Sequence, residues 1–251
     1  ANPLYAFPRR RIVRHFLPDS PLRVSALRGL GYYANVFAIE SFIDELAHAA
    51  EADPVAFRLR YLDDERARAV IEAAVEKAGS LREDGDEAMA IGRGLAFAQY
   101  KSRQSYVAVV VDLSVHRESG VIRLTHAVLA ADCGQIVNPD GLSNQLEGGF
   151  TQAVSWTLRE QVTFDRHGVT SVDWHSYPIL RFPDAPVVET VLLNRRGEPW
   201  MGVGEGTHGP VPAAIANAVF DAVGVRLRRI PFTPARVRAA MQALWRYTGG
   251  G

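Results

Sequence analysis

Between residues 36 and 52 the apolar side chains fall at the spacing of one helical face. Ile39, Phe42, Ile43, Leu46, Ala47 and Ala50 form that face, and Glu40, Asp44, Glu45, His48 and Glu51 form the other. The spacing predicts an amphipathic helix. Asp53-Pro54 restarts the chain, Asp53 as N-cap and Pro54 at the first helical position, for a short helix to about Leu62. Asp63 or Asp64 caps a third helix through Ala78, with Gly79 as its stop. Residues 80–88 are polar and loop-like. From Ile91 the pattern turns to β, predicting strands at 91–99, 105–115 and 121–131 with a hairpin turn from His116 to Gly120. Asn138-Pro139-Asp140-Gly141 reads as a turn. A helix follows at 143–157, then strands at 160–165, 170–174 and 187–194. The span 200–209 reads as a tight loop, and helices follow at 210–223 and 234–247, the last with Thr233 as cap.

This order predicts an α+β fold of mixed sheets with packed helices and a helical N-terminal third. Residues 1–88 form an arm and helical segment, and residues 89–251 an α+β domain. Pro3, Pro8, Pro18 and Pro21 make residues 1–24 an irregular arm. Its basic cluster, Arg9, Arg10, Arg11 and Arg14, reads as a solvated or salt-bridged surface, with an anion site as the alternative.

Composition narrows the function. The chain has 251 residues, 47% of them hydrophobic and 22% charged, which excludes a disordered or fibrous protein. Lys plus Arg equals Asp plus Glu at 28 each, so no electrostatic surplus favours a nucleic acid or an anionic membrane. No apolar run approaches the ~20 residues of a membrane span. The one cysteine, Cys133, cannot make an internal disulfide, a structural zinc site or an iron–sulfur cluster. Any redox centre needs other ligands or another chain.

Three segments carry candidate chemistry. In Leu27-Arg28-Gly29-Leu30-Gly31, two glycines beside an arginine permit close backbone approach to a ligand; the alternative is a glycine turn before the first helix. In Asn144-Gln145-Leu146-Glu147-Gly148-Gly149-Phe150, two glycines inside a helix cost about 1 kcal/mol each against alanine. Either Gln145, on the first turn, offers its amide to a ligand, or the glycines serve helix–sheet packing. In Met201-Gly202-Val203-Gly204-Glu205-Gly206-Thr207-His208-Gly209-Pro210, a carboxylate sits between glycines just before a helix. The helix N-terminus favours the ionised carboxylate and burial opposes it, a competition that poises Glu205 as a general base. The alternative is a solvated loop glutamate. The histidines form no ligand-spaced cluster; only His208, three residues from Glu205, is a candidate. Ser143 and Ser155 lack the context of a serine nucleophile.

These motifs, in this order, resemble the large subunit of the molybdenum hydroxylases, the xanthine oxidase and aldehyde oxidase family, and within it the isoquinoline 1-oxidoreductase β-subunit type. The carriers are Arg28 and Gly29 before "ANVFAIESFIDELAHAAEADPVAFRLRYL", the stretch "DCGQIVNPDGLSNQLEGGFTQAVSWTL" and the stretch "YPILRFPDAPVVETVLLNRRGEPWMGVGEGTHGPVPAAIANAVFDAVGVRLRRIPFTPARV". The resemblance covers about Ala26 to Val237. It implies a molybdopterin-binding fold and a molybdenum pyranopterin cofactor, as molybdopterin or its cytosine dinucleotide. It also implies hydroxylation of an aldehyde or N-heteroaromatic carbon with water as oxygen source. Glu205 matches the family's catalytic glutamate, which takes the proton from the attacking oxygen. Gln145 matches the glutamine that hydrogen-bonds a molybdenum oxo group, and Arg28 the arginine near metal and substrate. Gly29, Gly204 and Val203 would shape the cofactor site; no side chain of this chain is expected to ligate the metal.

Two departures stand out. Leu30 occupies the position where purine-oxidising members stack an aromatic ring on the substrate, and Gly206-Thr207 replaces the usual proline pair after the glutamate. The family's glycine-glutamine-glycine and serine-rich pterin loops are not found in this sequence. The chain is therefore expected to be the C-terminal portion of a catalytic subunit, completed by the remainder of the molybdenum subunit and an iron–sulfur subunit. The alternative is a non-catalytic interaction or cofactor-assembly module that keeps the fold.

Overall fold

The computed structural model describes residues 2–13, 15–22, 26–81 and 87–247. Arg14 and the middle of the 80–88 loop lie outside the described residues. The sheet is built around β2 (Tyr106–His116), whose side chains enter two cores in alternation. Val107, Val109, Val111, Leu113 and Val115 enter one, and Tyr106, Ala108 and Val110 the other. A strand covered on both faces has no polar side to show, hence its continuous valine-rich run. β1 (Met89–Gln99) and β3 (Ile122–Asp132) flank it antiparallel, and β6 (Val187–Leu192) pairs with β3 in parallel. The sheet is mixed, in the order β1-β2-β3-β6. The β3-to-β6 crossover carries α4 (Pro139–Leu158) and a two-residue hairpin, β4 (Phe164–Asp165) and β5 (Gly168–Val169).

α1 (Tyr32–Ala49), α2 (Pro54–Arg60) and α3 (Glu65–Ala78) supply the core on one face. α4, α5 (Pro210–Val223) and α6 (Pro234–Tyr247) supply the core on the other. α5 lies on β1 with almost nothing between the backbones. A Cβ on Gly94 would stand 2.0 Å from the Ala214 carbonyl oxygen, and one on Gly92 2.3 Å from that of Ala218. The helix answers with Ala214, Ala218 and Ala222, so two rows of small residues set the spacing. A buried polar knot fixes α1 beside β1. Glu40 accepts from the Tyr5 hydroxyl (2.7 Å), Arg58 Nε (2.9 Å) and the Phe97 backbone N–H (3.1 Å). This holds the loop that precedes α1 near the residues that end β1.

The boundaries differ from expectation in three places. α1 begins at Tyr32, because Gly31 takes the N-cap position without a side-chain cap. α4 begins at Pro139: Asn138 is its N-cap, accepting from the Gly141 N–H at 3.0 Å, and Pro139 opens the first turn. The apparent turn signal is a helix start. The strand expected at 160–165 shrinks to β4, and the one expected at 170–174 is absent, its place as β4's partner taken by β5 just before it; Val162, Phe164, Val169 and Val172 are exposed and pack on no core. Arg9, Arg10 and Arg11 are exposed, with Arg10 donating to the Pro3 carbonyl at 3.2 Å. No described helix is long and apolar enough to cross a membrane.

Gly94→Ala is expected to destabilise the fold by about 3 kcal/mol or more, because the added methyl meets backbone that cannot step aside. Gly148→Ala, where no atom lies within 4 Å of the new Cβ, should be neutral or stabilise by about 1 kcal/mol. Urea unfolding of both variants checks the contrast; equal effects would contradict the packing described.

Candidate active site

One end of the sheet collects four pieces of chain: the 27–31 loop before α1, Tyr100 at the end of β1, the 200–209 loop before α5, and the second to fourth turns of α4. The 200–209 loop is tied to the end of β3 by Met201 N–H to the Cys133 carbonyl (2.8 Å). It then turns twice, with Gly206 N–H on the Val203 carbonyl (2.9 Å) and His208 N–H on that of Glu205 (3.2 Å). Val203 is buried in the core and roots the loop there, so its contribution to the site is through the backbone.

Arg28 gathers these pieces. Its Nε donates to the Gly204 carbonyl (2.7 Å), its Nη1 to Gln152 Oε1 (3.3 Å), and its Nη2 to Gln145 Oε1 (3.1 Å) and the Gln145 carbonyl (3.4 Å). All four acceptors are neutral oxygens, so the hydrogen bonds hold the guanidinium without cancelling its charge. Gln145 lies on the second turn of α4, not the first, because the helix starts earlier than expected. Its side chain is exposed, and its oxygen on Arg28 leaves the amide N–H groups for a ligand.

Glu205 is held at both oxygens. Oε1 accepts the Gly29 backbone N–H at 2.9 Å, and Oε2 accepts the Tyr100 hydroxyl. Gly29 presents that N–H from a left-handed backbone (φ 91°), and a Cβ there would press on His208 at 3.2 Å. The Gly29 N–H foremost, then the Tyr100 hydroxyl, holds the Glu205 carboxyl below the usual carboxylate range, against partial burial. Glu205 is thus an anion at neutral pH. The expected contest between helix dipole and burial is not what fixes it; two specific donors do. Burial first, then the bond to Glu205, pushes the Tyr100 phenol up to about 12.

His208 forms the floor. It is fully buried, and its Nε2 lies 3.1 Å from the same Gln152 oxygen that accepts from Arg28. With that oxygen as acceptor, Nε2 carries the proton and the buried Nδ1 has no partner. Burial first, then the Arg28 charge, lowers His208 to about 4, so the ring is neutral. The adjacent glycines of α4, Gly148 and Gly149, divide their roles. A Cβ on Gly149 would stand 2.4 Å from Thr207 Oγ1 and 3.2 Å from the His208 ring, so Gly149 admits the 200–209 loop. Gly148 is exposed and open. Leu30 is exposed beside Gly29, with φ 50°.

Every site residue expected from the sequence, namely Glu205, Gln145, Arg28, Gly29, Gly204 and Val203, lies in this cluster or roots it. Sequence reasoning missed Tyr100 and Gln152. Gln152 had a signal: it follows Gln145 by two helical turns on the same α4 face. Tyr100 had none, being 105 residues from Glu205. A cavity of about 300 Å³ opens beside the cluster, lined by Gly29, Leu30, Tyr32, Asn35, Tyr100 and Lys101 among others. Among the described residues no group of three or more His, Cys, Asp or Glu could hold a metal ion.

Residues 28–186 match the model of the molybdopterin cofactor-binding domain, and the chain belongs to that family. It is 40% identical over 254 residues to one subunit of the nicotinate dehydrogenase of Pseudomonas putida, covering 95% of this chain and 21% of that protein. It is 31% identical over 232 residues to the β-subunit of isoquinoline 1-oxidoreductase from Brevundimonas diminuta, covering 92% of this chain and 29% of that one. The chain thus spans less than a third of either relative. Its fold is that of the aldehyde oxidoreductase from Desulfovibrio desulfuricans, with TM-score 0.76 over 86% of this chain and 41% of that chain, at 16% identity. The resemblance to the molybdenum hydroxylases and the expected molybdopterin-binding fold are both borne out.

The residues fit part of such a cofactor. An unneutralised guanidinium and an exposed amide suit anionic or oxo oxygens, and Gly148, three residues after Gln145 on α4, and Gly202 are exposed with no atom within 4 Å of a Cβ position. A metal carried on its own organic ligand needs no histidine or cysteine cluster.

The buried neutral His208 predicts a pH dependence of stability. Its value is about 6.5 unfolded and about 4 folded, so the unfolded chain takes the proton first. The stability it contributes is complete above pH ~6.5 and is lost as pH falls towards ~4, on the order of 3 kcal/mol in all. Carboxylates with lowered values titrate below most of this window. Urea midpoints at pH 7 and 5 should fall in the parent and stay nearly level in His208→Gln; equal slopes would contradict the assignment.

Proposed function

We propose that the chain is the base-supplying portion of a molybdenum-dependent oxidoreductase that hydroxylates an aldehyde or N-heteroaromatic carbon, with water as oxygen source. The observation that carries this is the clamped Glu205 anion standing with Arg28 and Gln145 in one cluster. The names of the relatives, nicotinate dehydrogenase and isoquinoline 1-oxidoreductase, favour an N-heteroaromatic substrate.

When bound, the molybdenum pyranopterin supplies the two-electron acceptor and the Lewis acidity that makes water a nucleophile near neutral pH. The rest is the work of this chain. Gln145 would hold an oxygen of the cofactor with its amide N–H groups. Arg28 holds the Gly204 carbonyl and Gln145 in place while its charge favours negative charge developing nearby. Glu205 takes a proton from the attacking oxygen onto Oε2, and it is already ionised to do so. Electrons would leave through an iron–sulfur partner, since Cys133 is the chain's one cysteine.

The remainder of the molybdenum subunit would complete the cradle. Phe182, Trp174 and Trp200 are 95%, 68% and 74% exposed, apolar surface that a covering segment would bury.

Glu205→Gln keeps the shape and removes the base. In the assembled enzyme it should lower turnover by about 10²–10⁴-fold with folding and molybdenum content unchanged. Turnover at the parental rate would remove Glu205 from the mechanism. Molybdenum absent from the chain, even after co-expression with the rest of the subunit, would favour the interaction module instead.

A further inference from the structure

Glu205 has two donors of different kinds. Gly29 offers a backbone N–H, fixed by the loop that Arg28 anchors. Tyr100 offers a side chain, and the chain goes to some length to place it. The Tyr100 N–H donates to the Ser105 carbonyl at 2.9 Å, and its own carbonyl accepts the Gln104 N–H at 2.9 Å, closing a short loop after β1. Within that loop Lys101 (φ 52°) and Ser102 (φ 55°) are both left-handed. Two successive non-glycine residues in that region are unfavourable and persist only when the surroundings require them. The ring is held from two sides. Tyr32 meets it edge-on at 5.1 Å, and Lys101 Nζ lies 5.1 Å from its centroid. Tyr32 is itself pinned by donating to the Gly206 carbonyl at 3.2 Å, next to Glu205. Phenylalanine would fill the same space; only the hydroxyl reaches the carboxylate.

We propose that Tyr100 is the positioning residue for Glu205: with the Gly29 N–H it fixes both carboxylate oxygens and leaves a lone pair of Oε2 for the proton to be taken. This deepens the proposed function and rests on Glu205 being the base. A carboxylate held at one oxygen swings about its Cγ–Cδ bond, and one held at both presents its free lone pair in one direction. The hydroxyl also stabilises the anion, so Tyr100 sets how readily Glu205 takes a proton. The other charged or titratable groups near Glu205 are Lys101 from the Tyr100 loop, His208 from the turn into α5, Arg28 beside Gly29, and Tyr32 from α1, whose phenol burial keeps neutral and whose hydroxyl is spent on the Gly206 carbonyl. Lys101 also favours the anion, and His208 is neutral at pH 7.

The test separates Tyr100 from these neighbours. In the full chain labelled with ¹³C at glutamate side chains, the Glu205 carboxyl resonance, assigned by its loss in Glu205→Gln, is followed against pH. Tyr100→Phe should move its midpoint upward, a several-fold rise in proton affinity. Tyr106→Phe, whose hydroxyl bonds Asp64 instead, should leave it in place. A fluorotyrosine at position 100, of the same shape but a stronger donor, should move it downward, and this serves if the phenylalanine variant does not fold. In the assembled enzyme, the acid limb of the pH profile should shift up in Tyr100→Phe, where mere structural damage lowers activity at every pH. A Glu205 midpoint unmoved by both Tyr100 substitutions overturns the proposal. Midpoints that move as expected while Glu205→Gln retains full turnover would leave the positioning intact and refute the base.

Discussion

The guanidinium of Arg28 joins stretches of chain that lie 117 to 176 residues away in sequence. It stands in the loop before α1, yet its hydrogen bonds end on the 200–209 loop and on two turns of α4. Lysine could not replace it, because three donors on a flexible stem cannot span these acceptors at fixed angles. The same loop carries Gly29, whose N–H meets Glu205. Arg28 therefore sets where Gly204 lies, and Gly29 sets where the next residue's carboxylate lies. Because the acceptors of Arg28 are neutral, assembling the site leaves a positive charge in it.

Small residues make this convergence possible at each scale. Gly92 and Gly94 let α5 settle on β1, which brings the loop before α5 beside the end of that strand. Gly149 lets Thr207 and His208 press against α4, and Gly29 lets the Arg28 loop cross His208. Below them the Glu40–Arg58 pair and its partners fix α1 against β1 in the interior. An ion pair this deep contributes little net stability against an apolar replacement, but removing either partner strands a buried charge, so the pair enforces one arrangement.

Much of this is legible in the sequence where the signal is local. The helices ending at Ala78, Leu158 and Val223, the three long strands and their hairpin turn follow from periodicity and caps. Arg28, Gln145 and Glu205 stand out because glycines flank them and because their order resembles a known family. The start of α4 escapes a local reading because Asn-Pro-Asp-Gly serves equally as a turn and as an N-cap with proline at the first position. The segments 160–165 and 170–174 look like strands in sequence because their apolar residues alternate, but alternation without a covering partner makes no core, and only Phe164–Asp165 of them is a strand. Tyr100 is invisible for a different reason. Its role depends on a contact between the ends of two elements far apart in sequence, and no local pattern encodes that.

The most direct test of the central claim is an experimental structure of this chain in its assembly with the cofactor bound. Arg28 is expected still joined to the Gly204 carbonyl and the Gln145 side chain, with the Glu205 carboxylate still on the Gly29 N–H and facing the cofactor. An Arg28 turned to solvent, with the 200–209 loop carrying Glu205 away from Gln145, would contradict it.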